Sequence, residues 1–256
     1  MASLTIGIPL YNNARTLVRA LDSLRAQTFA DFVVVMSDDI SSDDTASIAE
    51  KYCLSDNRFT LVRQSRNLNY GNFRYVLSTA RTEYFMFAAG DDVWEPTFVE
   101  ACISAIRNDP RAVCAVPRVK FVVEDGTTVL AKGTRPLSGS PAENICDFLT
   151  NYPDDNSRMY GVLRTAVAQG AFPVDDHHAW DHTFSIGTLL CGTRLEVRQR
   201  LMVRETTPYS KYMESSRESI GDFVEGSTGV PDYRVPSALR LNFCWSPDIG
   251  DLLGSG

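Results

Sequence analysis

Two pairs of adjacent carboxylates follow apolar runs in this sequence, and both have the chemistry of a binding site. Asp38 and Asp39 follow a β-branched run, and Asp91 and Asp92 follow a second apolar stretch. Neighbouring carboxylates repel each other and weaken a fold unless a positive charge lies close to them. Mg²⁺ and Mn²⁺ prefer oxygen ligands, and Mg²⁺ is typically held by one or two carboxylates together with substrate phosphates. The two pairs therefore predict a site for a cation and a phosphate-bearing ligand.

Such a site requires a fold that brings both pairs of carboxylates to the same edge of a sheet. Short apolar runs alternate with helical patterns in the first half of the chain, which predicts an α/β fold. We expect a Rossmann-like, mostly parallel sheet with helices on both faces, in which ligands bind outside the carboxyl ends of the strands. The predicted strands are 4–9, 32–36, 59–62 and 83–88, and the predicted helices are 13–28, 45–52, 73–80 and 97–106.

The second half of the chain is less regular. It predicts a long strand at 112–123 with an interruption near Pro117, a helix at 143–151 and a helix that begins near Asp181. The stretch beyond Thr206 is rich in Ser, Pro and Gly and shows little periodicity. We expect it to form loops and short helices.

Composition and charge exclude several classes of protein. The chain has 256 residues, a formal net charge of −7 and six scattered cysteines without a C-x-x-C spacing. The acidic balance argues against a nucleic-acid partner, because such binders usually need a basic face. The cysteine pattern gives no support to zinc-ribbon or thioredoxin chemistry and fits reduced thiols. Since the sequence shows no signal peptide and no membrane span, we expect a cytoplasmic protein.

Three ordered segments carry a resemblance to a known family. They read IPLYNNARTLVRALDSLRAQTF (8–29), VVVMSDDISSDDT (33–45) and TEYFMFAAGDDVW (82–94). Together they resemble the family 2 glycosyltransferases, which have the GT-A fold, use nucleotide-sugar donors and invert the anomeric centre. Three motifs in matching order form a specific signal. The resemblance covers 4–107 and continues more weakly through YGVLRT (160–165), WDHTFSIGTLLCG (180–192) and VRETTPYS (203–210).

The resemblance implies an organisation of the chain and a nucleotide pocket. Residues 1–110 would bind the nucleotide sugar, 111–215 would form the acceptor-binding and catalytic half, and 216–256 would be a tail. The implied pocket consists of Pro9, Tyr11, Asp38 and Asp39. Asp39 is the better match to the aspartate that binds the imide of the base, which favours UDP- or dTDP-type donors and leaves GDP open.

The segment after the third strand would line the base and the ribose. It contains Arg66, Asn69 and Asn72, and Arg63 or Arg66 could supply a bidentate phosphate contact. An alternative interpretation treats the acids of 38–44 as a cluster that caps a helix. Capping accounts for Asp43 rather than for the two acids before it.

The triplet Gly90-Asp91-Asp92 corresponds to the family's metal-binding D-x-D motif, with glycine at its first position. The resemblance implies Asp92 as the direct ligand of Mn²⁺ or Mg²⁺ and places Asp91 nearer the ribose or sugar. The alternative is a charged turn before a helix that starts at Pro96. Many relatives carry a further histidine ligand where this chain has Thr206. Either the metal is held by Asp92, phosphates and water, which we favour, or a histidine of the loop substitutes for the missing ligand.

Inversion by direct displacement needs a group that takes the proton from the acceptor hydroxyl. The resemblance assigns this role to Asp181, with Trp180 in place of the usual glutamate. Asp181 would also cap the following helix, and both roles can hold at once. All three histidines, His177, His178 and His182, lie in this stretch, where an exposed loop is the commoner outcome than a metal site.

The resemblance implies transfer of a sugar from a nucleoside diphosphate to an acceptor hydroxyl in surface polysaccharide or glycan biosynthesis. The expected partners are the donor and a glycan or lipid-linked acceptor, and the latter would bring the protein to the inner membrane surface. We expect Tyr160, Gly161, Arg164 and Thr165 near the acceptor cleft. Two alternatives stay open. A non-catalytic sugar-nucleotide-binding module would keep Asp39 and Asp92 without a working base, and a nucleotidyltransferase shares the acids and a related sheet.

Overall fold

The computed structural model describes residues 2–122, 126–151, 155–174 and 180–205. In these residues a nine-stranded sheet carries helices on both faces. The strands are β1 (Leu4–Leu10), β2 (Phe32–Asp38), β3 (Phe59–Arg63), β4 (Tyr84–Phe87), β5 (Val93–Trp94), β6 (Ala112–Val122), β7 (Thr128–Leu130), β8 (Val162–Arg164) and β9 (Thr193–Glu205). The helices are α1 (Ala14–Arg25), α2 (Thr45–Ser55), α3 (Gly71–Thr79), α4 (Phe98–Asn108), α5 (Pro141–Asn151), α6 (Thr165–Ala171) and α7 (Trp180–Leu189), with a 3-10 turn at Ser157–Tyr160.

The strand directions confirm a mostly parallel sheet. Its order is β3-β2-β1-β4-β8-β6-β9-β5, with β7 beside β6. β1 pairs in parallel with β2 and β4, and β2 pairs in parallel with β3. β8 is antiparallel to both β4 and β6, so β6 and its parallel partner β9 run in the same direction as β4. The carboxyl ends of β1, β2 and β4 therefore meet at one edge of the sheet.

Alternation along β4 builds a hydrophobic core on each face of the sheet. Tyr84 and Met86 belong to the core that includes buried residues of α1 and α4, whereas Phe85 and Phe87 belong to the core that includes residues of α3 and α7. This is the period of two that a strand imposes on its side chains. Gly7 permits the close approach on the second face, because a Cβ there would lie 2.9 Å from the ring of Phe85.

Aromatic packing fixes α7 against the sheet. The rings of Phe87 on β4 and Phe184 on α7 meet edge to face, with centroids 5.7 Å apart. Trp180, the first residue of α7, packs against Phe73 of α3 with ring centroids 4.6 Å apart. Pairs of this kind contribute roughly 0.5–1.5 kcal/mol each beyond the area that they bury. The strand that leads to the acidic pair and the helix that carries Asp181 thus share one core.

The fold differs from the prediction in the strands that join its two halves. The residues after Asp92 form β5, which pairs with β9 through Val93 and Val203 and through Trp94 and Met202. A strand of two residues is too short to leave a periodic pattern. β9 was not among the predicted strands, although its apolar residues alternate with charged ones in the manner of a strand. The predicted interruption of the long strand is confirmed by a register shift between Pro117 and Arg118.

Among the described residues, no helix combines the length and the apolar character that crossing a membrane requires. The predicted tail 216–256 lies outside the described residues.

Candidate functional site

The loops that follow β1 and β2 are tied together by hydrogen bonds. The backbone N–H of Asn12 donates to Ser41 Oγ at 3.0 Å, and the N–H of Ser42 donates back to Asn12 Oδ1 at 2.8 Å. The N–H of Asp39 donates to the carbonyl of Leu10 at 2.8 Å, directly after the paired strands. These bonds hold the two loops as one unit at the carboxyl edge of the sheet.

The first acidic pair is buried within this unit. Asp39 braces the loop after β3, because its Oδ1 accepts the N–H of Leu68 at 2.7 Å and its Oδ2 accepts the N–H of Asn69 at 2.9 Å. Asp38 accepts the N–H of Ser41 through Oδ2 at 3.3 Å. Its other oxygen, Oδ1, is buried without a hydrogen-bond partner among the described residues. Asp38 therefore keeps one open acceptor oxygen, whereas both carboxylate oxygens of Asp39 accept hydrogen bonds from the backbone.

The capping role belongs to Asp43. Its Oδ1 accepts the backbone N–H of Thr45 at 3.0 Å at the start of α2, and its Oδ2 accepts the N–H of Ala14 at 3.0 Å. The alternative interpretation of the 38–44 acids as a helix cap thus holds for Asp43. Capping does not account for Asp38 and Asp39, which make the other contacts described above.

The other predicted nucleotide residues lie around the same edge. Tyr11 is 54% exposed, Pro9 is half-buried at the end of β1, and Arg66 is exposed. Arg63, the alternative phosphate ligand, instead forms an ion pair with Glu50 of α2 at 2.9 Å. The positions of Tyr11, Pro9 and Arg66 are compatible with the nucleotide pocket that the sequence predicts.

Asn72 is buried and spans from α3 to β2. Its Nδ2 donates to the carbonyl of Ser37 at 2.9 Å, and its Oδ1 accepts the hydroxyl of Ser37 at 2.6 Å. Both ends of the side chain are therefore occupied by the scaffold. Its predicted contact with base or ribose stays a prediction.

The second acidic pair meets an arginine from the other half of the chain. Asp92 is 2% exposed, and its Oδ2 lies 3.3 Å from Arg204 Nε on β9. The pKa of Asp92 is raised to about 7, mainly by burial; Arg204 acts to lower this pKa and the neighbouring Asp91 carboxylate acts to raise it. The Arg204 guanidinium is held over the ring of Tyr160 at 4.3 Å and that of Phe121 at 5.5 Å. Arg204 thus supplies a positive charge of the kind that the adjacent carboxylates require.

Gly90, the first position of the triplet, is a close-approach site. A Cβ at this position would lie 2.8 Å from Cγ of Asn13, which accepts the backbone N–H of Tyr11 through Oδ1. The packing of Asn13 in the loop after β1 therefore gives a physical reason for glycine at this position.

The donor set around Asp92 fits a cation that takes most of its ligands from a diphosphate and water. The buried Oδ2 of Asp92 lies 3.3 Å from Arg204 Nε without forming a hydrogen bond, so a bound cation would share this oxygen with the guanidinium. Within the part of the chain that the structure describes, no group of three or more His, Cys, Asp or Glu side chains could hold a metal ion. The residues considered above as further metal ligands lie outside the described residues; they are His177, His178 and the position of Thr206.

Asp181 lies in the first turn of α7 and is held by two neighbours. Its Oδ2 accepts a hydrogen bond from Asn156 Nδ2 at 3.1 Å, and its Oδ1 lies 3.1 Å from Nδ1 of His182. Ser185 fixes Asn156 by donating to its Oδ1 at 2.7 Å. Burial raises the pKa of Asp181, but the hydrogen bonds from His182 and Asn156 outweigh it and leave the pKa below its usual value. Asp181 is therefore ionised at neutral pH and can accept a proton.

Tyr160 connects the two acidic positions. The pKa of its hydroxyl is raised to about 12, mainly by burial; Arg204 acts to lower this pKa, and the carboxylates of Asp92, Asp91 and Asp181 act to raise it. Arg204 brings the two positions together, because it pairs with Asp92 and its Nη1 donates to Ser157 Oγ at 3.4 Å, next to the Asn156 that holds Asp181. The predicted role of Tyr160 near the acceptor cleft stays a prediction.

The prediction for Arg164 and Thr165 was wrong. β8 runs antiparallel to β4, and Arg164 pairs with Tyr84 at the beginning of that strand. The N–H of Thr165 donates to the carbonyl of Glu83 at 3.0 Å. Both residues therefore lie at the opposite end of β4 from the acidic pair. The short motif YGVLRT is extended, and its two ends are separated along the strand.

Two residues of the site were missed by sequence reasoning. Arg204 lies within the quoted segment VRETTPYS, where an arginine directly after an apolar run was the available signal. Asn156 precedes a 3-10 turn and carries no motif, so no pattern in one sequence could have found it.

The comparisons with known proteins agree with this geometry. The profile of Glycosyl transferase family 2 matches residues 5–172. Chondroitin synthase of Escherichia coli is 29% identical over 126 residues, which are 49% of this chain and 18% of that protein. A Campylobacter jejuni enzyme, GalNAc(5)-diNAcBac-PP-undecaprenol beta-1,3-glucosyltransferase, is 33% identical over 97 residues, 36% of this chain and 30% of that protein. This chain thus spans less than a third of the length of either relative.

Two solved structures share the fold. Staphylococcus aureus TarS 1-349 in complex with UDP-GlcNAc superposes with a TM-score of 0.64 at 19% identity, covering 81% of this chain and 59% of that one. The mannosyltransferase PcManGT from Pyrobaculum calidifontis in complex with GDP-Man and Mn²⁺ gives a TM-score of 0.59 at 15% identity, covering 90% of this chain and 66% of that one. The sheet described above is therefore a GT-A fold.

Proposed function

Because the chain belongs to glycosyl transferase family 2, we propose that it transfers a sugar from a nucleoside diphosphate to an acceptor hydroxyl with inversion. The observation that supports this best is that Arg204, which pairs with Asp92, also donates to Ser157 Oγ at 3.4 Å, next to the Asn156 that holds Asp181. A displacement needs one group at the departing diphosphate and another at the attacking hydroxyl. The acidic pair and Asp181 come from different halves of the chain and suit these two tasks.

A UDP- or dTDP-type donor is the donor that we propose. Pro9, Tyr11, Asp38 and Asp39 would bind the base end of the nucleotide, and Arg66, Asn69 and Asn72 would line the base and ribose. The complex of TarS with UDP-GlcNAc supports a uridine nucleotide in this fold, although PcManGT binds GDP-Man. The buried, unpaired Oδ1 of Asp38 offers a place for an N–H or hydroxyl of the ligand.

The leaving group would be held beside Asp92. This residue would ligate Mn²⁺ or Mg²⁺ together with diphosphate oxygens, and Asp91 would lie nearer the sugar. When bound, such a cation neutralises the negative charge of the departing diphosphate. Arg204 would favour the ionised form of Asp92 and orient it, because its guanidinium is fixed 4.3 Å from the ring of Tyr160.

Asp181 would act as the base. The acceptor oxygen forms a bond to the anomeric carbon, the bond from that carbon to the diphosphate oxygen breaks, and the hydroxyl proton passes to the Asp181 carboxylate. Attack from the face opposite the leaving group inverts the anomeric centre. Asn156 and His182 hold the carboxylate in place, so the acceptor hydroxyl meets an already oriented base.

The acceptor would be a glycan or a lipid-linked glycan in polysaccharide biosynthesis. The relatives named for chondroitin and for an undecaprenol-linked glycan support these two classes. A lipid-linked acceptor would bring a cytoplasmic protein to the inner membrane surface.

The test is release of the nucleoside diphosphate from a panel of UDP-, dTDP- and GDP-sugars with mixed acceptor sugars and Mn²⁺. The proposal expects release from a uridine or thymidine donor and loss of release in Asp181→Asn. Tight donor binding without turnover would favour the non-catalytic module. Release of pyrophosphate from a nucleoside triphosphate and a sugar phosphate would favour the nucleotidyltransferase.

A further inference from the structure

Ile40 adopts a backbone conformation that its residue type disfavours. It follows Asp39 directly and has a φ of 60°, in the left-handed region. For a β-branched residue this conformation is an outlier. Backbone strain of this kind is unfavourable and persists only where the surrounding structure imposes it.

The surroundings impose it through the tied loops. Asn12, whose φ is 52°, exchanges hydrogen bonds with the two residues after Ile40, at 3.0 Å to Ser41 Oγ and 2.8 Å from Ser42 N. On the other side, the N–H of Asp39 is held by Leu10 at 2.8 Å. Ile40 is thus clamped between fixed neighbours, and glycine would satisfy the same backbone without strain.

The side chain that causes the strain is exposed. Ile40 is 48% exposed, so it does not owe its presence to the hydrophobic core. Tyr11, on the loop joined to it by the same hydrogen bonds, is another large apolar side chain and is 54% exposed. The two therefore stand on one rigid unit beside the buried Asp38–Asp39 pair.

We propose that Ile40 forms an apolar wall of the nucleobase subsite, together with Tyr11, and that the strained conformation is retained because it presents this side chain to the base. The inference rests on the proposed function and deepens it. A pyrimidine has a polar edge and a flat apolar face. The acids would meet the edge, and Tyr11 and Ile40 would cover the face.

The experiment compares Ile40→Val, Ile40→Ala and Ile40→Gly by calorimetric titration with UDP and with inorganic pyrophosphate, both with Mn²⁺. Affinity for UDP is expected to fall in that order, by about fivefold to tenfold in Ile40→Gly, as burial of a few methyl groups requires. Affinity for pyrophosphate should stay unchanged, since it has no base. The melting temperature of Ile40→Gly should equal or exceed that of the wild type, because glycine accepts the left-handed conformation.

The control is Leu54→Ala, which removes an apolar side chain that is 88% exposed on α2. It should leave both affinities unchanged. Equal UDP affinity across the Ile40 series would overturn the inference while leaving the proposed function intact. A parallel loss of pyrophosphate affinity would also overturn it, because the loop rather than the base contact would then be responsible. Failure of the wild type to bind any nucleotide would overturn the proposed function and the inference together.

Discussion

The carboxylate of Asp92 and the guanidinium of Arg204 form an ion pair across the two halves of the chain, with Oδ2 and Nε 3.3 Å apart. Asp92 follows β4, whereas Arg204 lies near the end of β9, whose pairing with β5 brings the two together. The acidic partner, Asp92, is nearly closed to solvent and is only 2% exposed. It joins the predicted nucleotide half to the predicted acceptor half at the proposed site of the leaving group.

Removing one partner of this pair should cost more than removing both. Arg204→Met leaves a buried carboxylate without a counter-charge, which costs roughly 3 kcal/mol in a buried pair. The double variant Arg204→Met/Asp92→Asn should recover part of that loss. Urea unfolding of the four proteins of the cycle measures the coupling. Additivity to within about 0.5 kcal/mol would show that the two side chains do not interact.

Gly90→Ala should destabilise the fold by about 1–3 kcal/mol, as inserted atoms do in a packed region. The physical reason is the 2.8 Å separation between the new Cβ and Asn13 Cγ. A matched control is Gly170→Ala on α6, where a Cβ meets nothing within 4 Å. That change should be neutral or stabilising, because alanine favours the helix. Equal unfolding free energies for the two variants would contradict the close packing at Gly90.

Asp39→Asn should loosen the loop after β3 even without a nucleotide. An asparagine amide keeps one acceptor oxygen and turns an NH₂ group toward the second of the two N–H donors, Leu68 and Asn69. Loss of hydrogen bonds to a charged acceptor costs about 1.5–3 kcal/mol. Hydrogen exchange in the ligand-free protein should become faster at these two amides. Unchanged protection there would mean that Asp39 serves the ligand alone.

The pH dependence of turnover should report the hydrogen bonds of Asp181. His182 and Asn156 lower the pKa of Asp181, so this base stays ionised below the usual carboxyl range. The pKa of Asp92 is raised to about 7, so the profile is measured at a Mn²⁺ concentration that keeps Asp92 ionised, and turnover then persists to the lower pH. Asn156→Ala removes one of these bonds, so the pKa rises and the acidic limb of the rate profile moves to higher pH. Ser185→Ala removes only the hydrogen bond that positions Asn156, so it should move the acidic limb less. As a control, recovery of full activity after return to pH 7 excludes irreversible acid unfolding. An acidic limb that does not move in Asn156→Ala would contradict the assignment of this limb to Asp181.

The parts of the fold that the sequence predicted are those with local signals. β1 to β4 and the intervening helices follow apolar periodicity, and their parallel pairing places Asp38, Asp39, Asp91 and Asp92 at one edge. The contact of Asp92 with Arg204 could not be predicted, because it depends on a long-range pairing of a two-residue strand. The scaffold role of Asn72 likewise depends on how α3 packs against β2.

The central claim is that Asp181 is the base of a sugar transfer, and the most direct measurement is the turnover of Asp181→Asn beside its donor affinity. Asparagine keeps the size of the side chain but cannot take the acceptor proton. We expect nucleoside diphosphate release to fall by roughly 10²-fold or more while the Kd for the donor stays within about twofold of the wild type. Asp147→Asn on α5, which removes a carboxylate elsewhere, should leave both values unchanged. Near-wild-type release by Asp181→Asn, at unchanged donor affinity, would contradict the account.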